Sequence, residues 1–132
     1  MKIPDDLKYT SEHLWVRTTE DGSVLAGITD YAQELLGDIV YVETAESGSV
    51  LKANNACGLL ESVKAASDLH APLDSEIVGT NPVLQDSPEL INEAPYDTWI
   101  FRLKPKNAGD LAKLLTADAY QKLLKAAPSE KS

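Results

Sequence analysis

Glu61-Ser62-Val63-Lys64-Ala65-Ala66-Ser67-Asp68 joins two runs of β character within a chain of 132 residues. One run starts at Cys57 and ends near Val63. The second resumes near Ser67, and Pro72 closes it, because proline has no N–H to give a ladder. Lys64, Ala65 and Ala66 are left as a short, tight segment between strands. Two alanines beside the lysine leave its amine uncrowded.

A lysine amine does chemistry in two ways. It is a buried nucleophile with a lowered pKa, or an exposed amine that another enzyme acylates. The first way needs an apolar pocket and usually a neighbouring cation. The nearest ionisable neighbours here are Glu61 and Asp68, both of which favour the ammonium form, so the nucleophile is disfavoured. The second way needs a hairpin tip, which this spacing supplies. On spacing alone the plainer alternative is favoured, in which Lys64 is one of twelve basic residues, solvated at a turn.

Working outward, apolar and polar residues alternate over His13-Leu14-Trp15-Val16-Arg17, then come Glu20-Asp21-Gly22-Ser23 and Val24-Leu25-Ala26-Gly27-Ile28. An Asp-Gly pair between two such runs predicts a hairpin. A short helix follows, capped by Thr29 or Asp30, with Gln33 three residues after Asp30. Ala32, Leu35 and Leu36 share its apolar face, and Gly37 ends it. Ile39-Val40-Tyr41-Val42 reads as a strand, followed by a turn at Ser47-Gly48. Ile77-Val78-Gly79 is another short strand, Pro82 to Pro95 is loop and turn, and Trp99-Ile100-Phe101-Arg102-Leu103 is the last strand. Leu111, Leu114 and Leu115 form a helical face. Thr116 caps a second helix carrying Tyr120, Leu123 and Leu124, with Lys122 and Lys125 near its end, and Pro128 stops the pattern. The expectation is one mainly β domain over residues 1–132, with a core from about 7 to 104 and C-terminal helices from about 108 to 127.

Apolar residues make up 43% and charged residues 25% of the chain, ordinary for a globular domain. The formal net charge of −9 repels phosphate backbones and anionic lipid, so neither nucleic acid nor membrane is expected as a partner. An acidic surface suits basic patches on partner proteins, and it also simply keeps a protein in solution. One cysteine, Cys57, permits no internal disulfide and suits a reducing compartment. In an apolar strand it reads as a buried, inert thiol. His13 and His70 are too few for a metal site. No phosphate loop, serine elbow or zinc signature is present. Met1 to Leu7 has neither an apolar signal core nor an Arg-rich amphipathic stretch, which predicts a bacterial cytoplasmic protein, although a processed organellar one would read the same.

The Glu61–Asp68 segment resembles the lipoylation site of glycine-cleavage H proteins, and other blocks agree in order. Leu7-Lys8-Tyr9-Thr10 with His13 and Trp15 resembles the family's N-terminal signature. Gly27-Ile28-Thr29-Asp30-Tyr31-Ala32-Gln33 and Leu36-Gly37-Asp38-Ile39-Val40-Tyr41-Val42 resemble the next blocks. Ala71-Pro72, Ser87-Pro88-Glu89-Leu90-Ile91-Asn92, Pro95-Tyr96 and Trp99 follow. The likeness runs from about Leu7 to Tyr120. It implies a barrel-sandwich hybrid related to lipoyl and biotinyl domains, with peripheral helices. It implies lipoate joined to Lys64 as an amide, with Glu61, Ser62, Asp68 and Glu12 around the arm. It also implies a non-catalytic carrier, which takes an aminomethyl group from glycine decarboxylase to aminomethyltransferase and electrons to dihydrolipoamide dehydrogenase, after loading by lipoate-attaching enzymes.

The chain departs from that pattern in places. The family has an acidic residue between the N-terminal His and Trp, where this chain has Leu14. Glu12 lies two residues earlier and would share its face on a strand, roughly 7 Å away. Asp68 matches a family residue near the arm. Asp74-Ser75, Asp97-Thr98 and Thr44-Ala45 replace pairs that usually contain glycine or proline. Leu14 lends weight to a second role, a relay passing lipoyl groups to other enzymes. A biotin carrier is disfavoured, because biotinyl domains resemble Met-Lys-Met where this chain has Val63-Lys64-Ala65.

Overall fold

The structure, a computed structural model, describes residues 2–126. Among the described residues nine strands form in chain order: β1 (Lys8–Tyr9), β2 (Leu14–Thr18), β3 (Val24–Ile28), β4 (Ile39–Thr44), β5 (Val50–Leu51), β6 (Ala56–Ser62), β7 (Ala66–His70), β8 (Ser75–Thr80) and β9 (Phe101–Pro105). They build a six-stranded sheet in the order β1-β2-β3-β9-β8-β5 and a three-stranded sheet in the order β4-β6-β7. Every pairing is antiparallel. The two sheets face each other across one core, to which Val16, Val24, Ala26, Ile77, Phe101 and Leu103 come from the larger sheet and Ile39, Cys57, Leu60 and Leu69 from the smaller. The mainly β fold expected from the residue pattern is present, and two packed sheets agree with the sandwich that the family resemblance implies.

The larger sheet is covered on both faces near β2. Leu14 and Val16 point into the core between the sheets, whereas Trp15 points the other way. There Trp15 packs with Leu7, Tyr9, Ala117 and Tyr120. Its indole Nε1 donates to the Pro95 carbonyl at 2.9 Å, and Arg17 stacks 4.8 Å from its ring centre. The cover is a C-terminal helix, α4 (Ala117–Ala126), whose Tyr120 ring stacks on Tyr9 at 4.8 Å. Thr116 caps α4 through a hydrogen bond from the Ala119 N–H. Pro128 and the last residue of the expected C-terminal helix, residue 127, lie outside the described residues.

The expected hairpin forms, with Leu14↔Ile28 through Thr18↔Val24 in register and Gly22 at φ 89° in the connection. The helix α1 (Asp30–Leu36) also forms, capped by Thr29 and ended by Gly37 at φ 83°. Gln33 reaches back to the Asp30 carboxylate rather than to a backbone N–H. Three expectations differ. The segment from Pro82 to Pro95 contains two single-turn helices, α2 (Val83–Asp86) and α3 (Leu90–Glu93), which proline punctuation conceals. Trp99 and Ile100 precede β9 instead of opening it. Leu111 sits in a 3-10 turn (Ala108–Lys113), and Leu115 leaves the helical register to exchange two 2.8 Å backbone hydrogen bonds with Tyr9.

Gly58 marks where the smaller sheet is tightest. A Cβ there would lie 2.5 Å from the Glu43 carbonyl oxygen on the neighbouring strand and 3.0 Å from Leu69 Cδ1. Gly58→Ala must therefore move backbone, and a destabilisation of about 1–3 kcal/mol is expected, read as a lower urea midpoint at unchanged slope. Burial pushes the Cys57 thiol up to about 12, from an ordinary value near 9.0. The native state then holds a proton that the unfolded chain releases. This contribution to stability is complete below pH 9.0 and is lost as pH rises toward 12. At pH 8, labelling of native Cys57 by iodoacetamide should run at the rate of global or local unfolding and become fast only in denaturant.

Candidate functional site: the Lys64 turn and its cavity

Lys64 sits at the tip of the β6–β7 hairpin, and the turn is held by Ser62. The Ser62 N–H donates to the Ala65 carbonyl at 2.8 Å. The Ser62 hydroxyl oxygen accepts from the N–H groups of Lys64 at 3.3 Å and Ala65 at 3.1 Å, and it lies 3.2 Å from the Ala65 carbonyl, to which it can donate. Below the turn Glu61 pairs with Ala66 across the hairpin and with Tyr41 on the other side. Val63, Lys64, Ala65 and Ala66 are all exposed. Among the described residues no ion pair involves Lys64, so Glu61 and Asp68 flank it in sequence without binding its amine.

The lysine stem lies instead over the end of α1. A Cβ built on Gly37 would be 3.2 Å from Lys64 Cε and 3.9 Å from its Nζ. Gly37 thus ends the helix in a left-handed conformation and leaves room for the stem. The end of α1 is a favourable place for a cation, because the last helix carbonyls point there. The corner after Gly37 is tied to the tip by a 3.0 Å hydrogen bond from the Val63 N–H to the Asp38 carbonyl. It is tied to α3 by Asn92, whose Oδ1 accepts from the Ile39 N–H at 2.8 Å and whose Nδ2 donates to Gly37 O at 2.9 Å and Gln33 Oε1 at 3.0 Å.

A cavity of about 120 Å³ opens beside α1. Its apolar wall includes Leu14, Ile28, Ala32, Leu36, Leu60 and Leu69, together with Leu35. Leu35 was expected on the buried face of α1, yet it is 52% exposed. The helix offers it to the cavity mouth instead of the core. Two carboxylates line the same space, Glu12 and Asp68. Asp68 stands on β7, paired with Leu59. Glu12 reaches the cavity by a route the sequence did not show. It is not on a strand, since β2 begins at Leu14. It lies in a turn closed by His13 N–H to Thr10 O, with His13 at φ 70°, so a two-residue strand period does not apply to it. The Glu12 carboxylate lies 3.7 Å from His70 Nδ1, a pairing that no sequence spacing announced.

His13 fixes that turn from the other side. Its Nδ1 is 2.9 Å from the Tyr120 hydroxyl, which is also 2.8 Å from Thr29 Oγ1. Its ring packs against Tyr31. The C-terminal helix therefore holds the cavity's entrance turn, and His13 reads as structural. Negative charge dominates the hairpin's flank. The Tyr41 phenol is raised above its ordinary range, chiefly by the Glu43 charge, then by burial, its hydrogen bond to Glu43 and the Glu61 charge. Among the described residues no group of three or more His, Cys, Asp or Glu side chains could hold a metal ion. No described helix is long and apolar enough to cross a membrane.

Comparison with known proteins agrees with this geometry. Residues 7–127 match the family described as Glycine cleavage H-protein. The chain is 54% identical over 124 residues to the glycine cleavage system H protein of Nitrosospira multiformis, covering 94% of this chain and 96% of that one. It is 56% identical over 124 residues to the H protein of Methylobacillus flagellatus, covering 94% and 99%. Among solved structures it is similar to a glycine cleavage system H protein from Mycobacterium marinum, with a TM-score of 0.80 and 40% identity over 89% of this chain and 95% of that one.

Proposed function

The chain belongs to the glycine cleavage H-protein family, and we infer that it is the lipoylated carrier of the glycine cleavage system, with Lys64 as the attachment site. The observation that carries this is an exposed amine on a turn closed by Ser62, with its stem beside Gly37 at the end of α1, the helix that also borders a cavity apolar on its walls and acidic at Glu12 and Asp68. These residues fit a lipoyl group by their chemistry. The leucines suit a hydrocarbon arm with its sulfur ring, and the carboxylates suit an amine carried on it. When bound, the group supplies a dithiol that carries an aminomethyl unit and two electrons between enzymes.

The chain's own residues do the rest. Ser62 presents Lys64, and tethering raises the arm's local concentration at each docked partner site. Leu14, Leu35 and Leu36 exclude water. In that apolar setting a cationic amine needs a counter-charge, since burying it unpaired is costly. Glu12 and Asp68 provide one. The carrier itself performs no catalysis. Its partners on this reading are glycine decarboxylase, aminomethyltransferase, dihydrolipoamide dehydrogenase and the lipoate-attaching enzymes, in the bacterial cytoplasm. Leu14 lent weight to the lipoyl relay, but a cavity that keeps two carboxylates favours the aminomethyl shuttle.

Co-expression with a lipoate ligase should add one lipoyl amide to the intact mass, mapped to the Lys64 peptide, and Lys64→Arg should abolish it. Wild type that stays at its bare mass, or a Lys64→Arg chain that still takes lipoate, would overturn the assignment. The lipoylated protein should also support glycine–bicarbonate exchange by glycine decarboxylase. Asp68→Asn should lose its aminomethyl load to water about tenfold faster than wild type, as expected for loss of a hydrogen bond between charged groups. Equal lifetimes would remove Asp68 from the shelter.

A further inference from the structure

We propose that Asn92 and Gly37 form a positioning seat for Lys64, and that enzymatic lipoylation depends on it. This rests on Lys64 being the modified residue.

The tip has little else to locate it. Val63 is 68% exposed, and Lys64, Ala65 and Ala66 are exposed too, so apolar packing does not anchor the turn. The Ser62 bonds are internal to the hairpin and set its shape without setting its place on the protein. The base of the hairpin is held by the Ser62–Ile39 pairing, and beyond it the tip's tie is the Val63 N–H to the Asp38 carbonyl, one residue before the lysine. Asp38 lies between Gly37 and Ile39, and Asn92 binds both of those neighbours.

Both donors and the oxygen of the Asn92 amide are engaged. Its oxygen takes the Ile39 N–H, and its two N–H donors go to Gly37 O and Gln33 Oε1. The pattern also fixes the amide's orientation, because a flipped amide would set NH₂ against the Ile39 N–H. A residue on a separate single-turn helix, 53 to 59 positions away, thereby clamps the corner on which the lysine stem rests. Gly37 completes the seat by having no Cβ where Lys64 Cε passes. Loosening the clamp lets the tip sample several placements. A modifying enzyme that accepts one of them then sees a smaller competent fraction, and its apparent affinity falls in proportion. The amine remains as open to small reagents as before.

The test compares full-length wild type with N92D and N92A, each assayed below its own melting temperature. Lipoylation by a lipoate–protein ligase with lipoate and ATP is followed by intact mass. Acylation of the Lys64 peptide by acetic anhydride is measured on the same native samples. N92D keeps an acceptor for Ile39 but sets a carboxylate against Gly37 O and Gln33 Oε1, and N92A removes all three contacts, so either folded variant suffices. The expected result is a kcat/KM for lipoylation lowered about fivefold, carried by KM, with the acetic anhydride rate unchanged. Lipoylation within twofold of wild type in a folded variant would overturn the seat. So would a parallel drop in acetic anhydride reactivity, which would mean lost access in place of lost placement. Wild type that takes no lipoate at Lys64 would instead overturn the attachment site itself, and the two failures are distinguishable.

Discussion

The hydrogen bond from the Val63 N–H to the Asp38 carbonyl is where two halves of the site meet. On one side is a hairpin whose tip, on the proposed assignment, must be bare, because an amine awaiting an enzyme cannot be packed. On the other is a corner between α1 and β4 that must be rigid, because a bare tip has no packing to hold it. Bareness and precision conflict unless backbone hydrogen bonds do the locating. The fold resolves the conflict by placing a glycine in the corner, an asparagine behind it and a serine in the turn. Side-chain mass stays away from the lysine, and its placement passes to donors and acceptors that cost little space.

The larger sheet serves the same end at a distance. Because Trp15 and its neighbours bury the outer face under α4, β2 is fixed on both sides, and the turn before it can hold His13 in a left-handed conformation. That conformation is sparsely populated for a residue with a Cβ, so surrounding contacts must maintain it. The Tyr120 hydroxyl and Tyr31 ring supply them. The result places Glu12 at the cavity. The C-terminal helix is peripheral in topology but holds the turn that carries Glu12, one of the two carboxylates at the site.

Much of the frame was legible in the sequence because it depends on short-range rules. The Asp21-Gly22 hairpin, a helix cap at Thr29 or Asp30, the Gly37 stop and the Lys64 turn all follow from local chemistry, and all are present, the cap being Thr29. What escaped depends on contacts far apart in the chain. The helices at Val83 and Leu90 are single turns, too short for a periodic signal. Leu115 was assigned to a helix by its spacing, but pairing with Tyr9, over a hundred residues away, decides its conformation. Asn92 was visible only as part of a family block, since nothing local shows that its amide will bridge Gly37 and Ile39. Glu12 was connected to the site by an assumed strand period, and its place in the cavity comes from a turn.

Leu14 is the clearest departure from the family's pattern, and the cavity suggests why it is tolerated. Glu12 and Asp68 already face the space, and a carboxylate at position 14 would make a third like charge in a small apolar pocket. Each added carboxylate would raise the cost of ionising the others. A leucine instead extends the apolar wall beneath the two carboxylates, which stay exposed at its rim. His70 beside Glu12 places a group that can carry positive charge at the outer edge of this pair. On the proposed reading the counter-charge for a sheltered amine comes from Glu12 and Asp68, the first held by a turn and the second by a strand.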